Sequence, residues 1–156
     1  MATDKKRKVL TAKCTEAAGV CACFHFRKVS RAVTQLYDQS LQPAGLRSTQ
    51  FVILVAVHLY EPVGVSALAR ALVMDRTTLM RNLRPLEEDG LLVKEDSDQG
   101  GRSKMVRLTP EGEERITLAI PYWEAAQKGF VEKLGVSQWD DMLKLLNKST
   151  DAARLA

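Results

Sequence analysis

A chain of 156 residues, 46% hydrophobic and 27% charged, has the length of one domain and enough apolar material for a core, which excludes disordered and collagen-like classes. The longest unbroken apolar run, 51–57, falls far short of the roughly 20 residues of a membrane span, so no membrane partner is expected. The 23 basic and 19 acidic residues leave a net charge of +4, which permits a polyanionic partner without requiring one.

Residues 1–8 are basic, but no apolar segment with a small-residue cleavage site follows them. No secretory signal is expected, and the chain reads as cytoplasmic. Residues 1–19 read as a basic, flexible N-terminal arm. Val20, Phe24, Val29, Ala32, Val33, Leu36, Tyr37 and Leu41 recur mostly at three- and four-residue steps, which predicts one amphipathic helix over 20–41. Gln42, Pro43, Ala44 and Gly45 break it. Ser48 or Thr49 is then the expected cap of a deeply buried helix over 49–60.

Glu61, Pro62, Val63 and Gly64 end that helix. Ser66 is expected to cap a short helix over 67–73, and Met74 and Asp75 form a tight turn. Asp75 caps a second helix that starts at Arg76, with Leu79, Leu83 and Leu86 inward and Gly90 at its end. Residues 91–95 and 104–108 predict two strands around the polar, glycine-rich tip 96–103, a hairpin. Thr109, Pro110, Glu111 and Glu113 mark a strong helix start for 110–134. Gly135 and a last helix near 137–153, capped by Ser137, complete the chain.

The expected fold class is mainly α with a small β-hairpin wing. It is a winged helix-turn-helix over 46–109, with 20–45 and 110–156 supplying dimerisation helices. With the leucines holding the second helix down, Arg76, Thr77, Thr78, Arg81, Asn82 and Arg84 face outward. Arginine bonds guanine bidentately, asparagine bonds adenine, and threonine meets a thymine methyl or a phosphate, so this set suits the major groove of double-stranded DNA. At the hairpin tip, Arg102 suits the minor groove and Lys104 a phosphate. Pro85 lies within the reading helix, where it removes a hydrogen bond to the carbonyl of Arg81 and is expected to bend the last turn.

With those residues in that order, the sequence resembles the MarR family of transcriptional regulators. The resemblance runs from about Val20 to Asp151. It is carried by 45–51, Leu68 and Ala69, 75–79, 86–91, 96–102 and 108–112. The resemblance implies a homodimer on a palindromic operator and an effector that weakens DNA binding. The wing departs from it, being longer between Asp98 and Arg102 than in many relatives. The apolar residues Ile116, Leu118, Ile120, Trp123, Phe130, Leu134, Trp139, Leu143 and Leu146 exceed what a small DNA-binding lobe covers, which also favours a homodimer.

Three cysteines, Cys14, Cys21 and Cys23, are too few and odd in number for a disulfide framework. In the hydroperoxide-sensing branch of the family a reactive cysteine lies eight residues before the arginine of a Ser-Arg pair. Cys23 stands there relative to Ser30 and Arg31, with Cys21 beside it, and Tyr37 matches a tyrosine that contacts that thiol. Arg27 and Ser48 stand where two further tyrosines belong. The alternative is a structural cysteine acting as a small hydrophobe. Cys21 and His25 share a helix face, and Cys14 is a possible third metal ligand, but no fourth ligand completes the set, and no metal or cofactor is assigned. A small organic effector is the other expected partner, with Phe51, His58, Tyr60 and Trp123 as lining residues. No phosphate-binding loop or nucleophile motif surrounds either histidine, so no enzyme activity is expected. A protein–protein module on the same fold is the alternative function.

Overall fold

The computed structural model describes residues 2–96 and 104–154. Helices α1 (Ala2–Val20) and α2 (Ala22–Leu41) lead through a 3-10 turn, Gln42–Ala44, to α3 (Ser48–Tyr60). Strand β1 (Val63–Gly64) precedes α4 (Val65–Ala71) and α5 (Arg76–Glu88), followed by β2 (Leu92–Asp96) and β3 (Lys104–Leu108). Helices α6 (Pro110–Leu134) and α7 (Val136–Arg154) end the chain. The chain divides into two compact units, one ending at Leu36 and the other beginning at Tyr37.

In the first unit, Ala2–Val20 is helical, where a flexible arm was expected. Its composition explains the difference: alanine, lysine and other helix formers run without proline or glycine until Gly19. Asp4 lies in the first turn and pairs with Lys8 at 3.3 Å, and the Thr11 and Thr15 hydroxyls donate to the carbonyls of Arg7 and Thr11. Cys21 interrupts the helical run, so α2 starts at Ala22 rather than at Val20.

The second unit is built on α3. Ile53, Leu54 and Val57 are fully buried, and the helix packs against α5, α6 and β3. Its start differs from expectation. Arg47 is the cap residue, and its backbone N–H donates to the Gln50 side chain at 2.8 Å. Ser48 instead gives its N–H and hydroxyl to one oxygen of Asp38, at 2.7 and 2.6 Å, which ties α3 to the end of α2. Neither Ser66 nor Ser137 caps. Gly64 precedes α4, which begins one residue before Ser66, and Ser137 lies inside α7.

The wing is a three-stranded antiparallel sheet in the order β1-β3-β2, not a hairpin alone. Val63 pairs with Val106, and Leu92 and Asp96 pair with Leu108 and Lys104. Two residues after a proline gave too short a run to read as a strand. Thr109 caps α6 through a 3.0 Å bond from the Gly112 N–H, and its hydroxyl donates to the Gly90 carbonyl. Gly112 passes so close to the Leu91 carbonyl that a β-carbon would come within 2.1 Å of that oxygen. The close pass seats α6 on the root of the wing.

Two helix ends in this unit share one geometry. At the end of α5, Leu91 N–H reaches the Leu86 carbonyl and Gly90 N–H reaches Glu87, with Gly90 at φ +71°. At the end of α4, Met74 N–H reaches Ala69 and Val73 N–H reaches Arg70, but the left-handed residue is Val73, at φ +52°. A β-branched side chain there is strained, and Val73 is exposed, so little packing offsets it. Val73→Gly is therefore expected to stabilise the fold by about 0.5–1 kcal/mol in urea unfolding. A loss of stability would mean that the valine side chain contributes more than its conformation costs. Gly112→Ala is expected to destabilise it by about 1–3 kcal/mol in the same assay.

Candidate nucleic-acid interface

Helices α4 and α5 are joined by the turn through Val73, and Asp75 starts α5. Its carboxylate accepts the Thr78 N–H at 2.8 Å and the Thr78 hydroxyl at 2.6 Å. These bonds, the hydroxyl foremost, hold the Asp75 carboxyl below the usual carboxylate range. Leu79, Leu83 and Leu86 are fully buried, as expected, and set which face of the helix meets solvent.

On that outer face Arg76, Thr77 and Arg81 are exposed. Neither arginine has an ion pair or side-chain hydrogen bond among the described residues. The other predicted positions are more constrained. The Thr78 hydroxyl proton is committed to Asp75. Asn82 is half-buried, and its amide donates to the Thr78 carbonyl at 2.8 Å, so reading a base with that amide requires breaking a bond within the helix. Arg84 pairs with Glu88 at 2.7 Å, which raises its pKa and offsets its charge locally. Residues 76–88 form one helix despite Pro85.

Lys104 opens β3 and is exposed. Arg102 lies outside the described residues. Two nearby cations are engaged: Lys94 pairs with Glu87 at 2.6 Å, joining β2 to α5, and Arg107 pairs with Glu95 at 3.2 Å across the strands.

The predicted sensing residues are distributed over both units. Cys14, Cys21 and Cys23 are all exposed in the single chain. His25 shares a hydrogen bond of 3.1 Å with the Gly19 carbonyl through Nε2. Tyr37 belongs to the second unit, where its hydroxyl donates to the Gln127 side chain and burial raises its pKa. An open cleft of about 490 Å³ lies between α3 and α6. Phe51, His58 and Trp123 line it, with Phe51 stacked on Trp123 at 6.3 Å. Tyr60, expected there, is not among its walls but exposed elsewhere. Val55, Glu113, Ile116 and Ile120 are wall residues that sequence reasoning did not name as such; the spacing of 113, 116 and 120 along one helix face was the available signal.

A two-helix turn carried on a core helix and flanked by a three-stranded wing defines the winged helix-turn-helix class. The chain belongs to the MarR family, whose model matches residues 44–103. It is similar to the M. tuberculosis transcriptional regulator MosR, whose crystal structure in complex with DNA is 32% identical, with a TM-score of 0.80 over 87% of this chain and 98% of that one. The PcaV transcriptional regulator of Streptomyces coelicolor, solved with its natural ligand, shares the fold at 21% identity and a TM-score of 0.79, covering 87% of this chain and 96% of that one. The organic hydroperoxide resistance transcriptional regulator of Bacillus subtilis (strain 168) is 28% identical over 90 residues, 58% of this chain and 61% of that protein. The chain spans less than two-thirds of the length of the curated relatives it matches.

Asp75 gives a test of how the reading helix is started. Its folded pKa is lowered, so the stability it adds is present above its unfolded pKa and fades as pH falls through the folded value. Asp75→Ala is expected to melt at a lower temperature than the parent at neutral pH. The gap between the two melting temperatures should close on acidification below the normal aspartate range. A gap independent of pH would exclude the charged cap as its cause.

Proposed function

We propose that the protein is a sequence-specific DNA-binding transcriptional regulator, a repressor, that works as a homodimer on a palindromic operator. The observation that carries this reading is the outer face of α5, where Arg76, Thr77 and Arg81 are exposed and both arginines lack protein partners among the described residues. Arg81 reads a base in the major groove, with Thr77, Thr78 and Asn82 beside it. Arg76 and Lys104 neutralise phosphate, and Arg102 enters the minor groove. The DNA complex of the MosR regulator supports the same use of the fold here.

The homodimer is supported by apolar surface left exposed among the described residues. Helix α7 contains no buried residue, and Leu118, Leu134, Leu143 and Leu145 are exposed on α6 and α7. In the first unit Phe24, Phe26 and Val29 are likewise exposed. A second copy covers such surface and sets two reading helices about 34–36 Å apart, one turn of DNA. Residues 20–45 and 110–156 supply this dimerisation region, and 46–109 the DNA-binding lobe. A protomer that sediments as a monomer at micromolar concentration would contradict the arrangement.

Release from DNA is assigned to an effector, for which two readings have support. The cleft lined by Phe51 and Trp123 suits a small organic molecule with an aromatic or apolar body. The exposure of Cys21 and Cys23 favours an oxidant, in keeping with the hydroperoxide resistance function of the Bacillus relative. Peroxide treatment is then expected to modify Cys23 and weaken operator binding, and Cys23→Ser to abolish the response. Unmodified cysteines with unchanged affinity would leave the cleft as the effector site.

Selection of bound fragments from a random duplex pool is expected to return an inverted repeat. On it, Arg81→Ala should lose roughly 1–3 kcal/mol of discrimination at one base pair. Lys104→Ala should weaken all sequences alike and flatten the salt dependence by about one unit of slope. Equal losses on operator and random DNA for Arg81→Ala would move that residue from base to phosphate.

A further inference from the structure

His58, Glu61 and Glu113 come from separate places: the last turn of α3, the residue that ends it, and the first turn of α6. One ligand atom from each, an imidazole nitrogen and two carboxylate oxygens, lies within 4.8 Å of the other two. His58 and Glu113 are exposed on the wall of the cleft. Glu61 is half-buried, and its Oε2 accepts the Leu108 N–H at 2.9 Å. That bond holds one carboxylate from behind, the way outer hydrogen bonds orient metal ligands.

Charge supplies a second argument. Glu87, Glu88 and Glu95 each have a basic partner within the wing and α5. Glu61 and Glu113 have none among the described residues, although an oxygen of each lies within 4.8 Å of the other. Two carboxylates so placed repel, and a cation between them converts repulsion into attraction.

We propose that His58, Glu61 and Glu113 bind one divalent transition-metal ion of the zinc class per chain. The imidazole favours such an ion over magnesium and calcium, which take oxygen ligands throughout. Zinc bonds of about 2.0–2.2 Å place tetrahedral ligand atoms roughly 3.4 Å apart, so the present separations must contract. The exposed His58 and Glu113 side chains are free to rotate inward, while Glu61 keeps its bond to Leu108. Three protein ligands leave a fourth position directed at the cleft, where water or a donor group on a bound molecule completes the shell. Through Leu108 the ion fastens the root of β3 to α3 and α6. The site stands independently of the DNA-binding reading.

The test is calorimetric titration with zinc of the full chain carrying Cys14→Ser, Cys21→Ser and Cys23→Ser, which removes competing thiolates. One ion per chain is expected, with magnesium binding more weakly, and the melting temperature should rise with zinc. Glu113→Gln and His58→Gln, both at exposed positions, should each weaken zinc binding at least ~10-fold and remove the rise in melting temperature. Absence of saturable zinc binding in the thiol-free chain, or unchanged affinity in either variant, would overturn the proposal.

Discussion

Leu79, Leu83 and Leu86 recur at steps of four and three along α5, and each is fully withdrawn from solvent, so the helix has one rotational setting about its axis. Turning it by one residue would bring Met80, Arg84 and Glu87, or Thr78, Asn82 and Pro85, inward in place of the leucines. Removing even one such leucine typically costs about 2–5 kcal/mol. The direction in which Arg76, Thr77 and Arg81 point is therefore a consequence of apolar packing several ångströms away. The turn through the strained Val73, the Asp75 cap and the Gly90 end fix where the helix begins and stops. The functional surface inherits its order from these.

Electrostatics then narrows the surface. Three cations around the reading helix are matched by acids: Arg84 by Glu88, Lys94 by Glu87 and Arg107 by Glu95. The pair on α5 without an acidic partner among the described residues, Arg76 and Arg81, lies in its first half. Positive potential is thus concentrated at the end of the helix that enters a groove first in proteins of this architecture. The small net charge of the chain, +4, conveys nothing of that concentration.

Features governed by local chemistry were legible in the sequence. Asp75 before Arg76, Thr109 before Pro110 and Gly90 after Glu88 each mark a helix boundary that the structure keeps. Leucine spacing likewise located the inner face of α5. What escaped depends on partners remote in the chain. The Ser48 hydroxyl was read as a cap, but Asp38 claims it. Val63 and Gly64 become a strand only because Val106 and Met105 lie beside them. Arg84 and Asn82 were read by outward position, whereas Glu88 and the Thr78 carbonyl engage them. His58 was read only as a cleft residue, yet folding brings Glu113, 55 positions later, to its side. The helix over Ala2–Val20 was missed for a different reason: a run of charge was read as a tail, although the same residues are good helix formers.

The central claim is that the exposed face of α5, with the wing, meets the phosphates and base edges of duplex DNA. The dependence of duplex affinity on salt tests it most directly, since each neutralised phosphate adds about 0.9 to the slope of log affinity against log salt. The account predicts a steep fall in affinity between about 50 and 200 mM salt, shallower in a chain carrying both Arg76→Ala and Arg81→Ala. Affinity indifferent to salt, or an unaltered slope in that double variant, would contradict it.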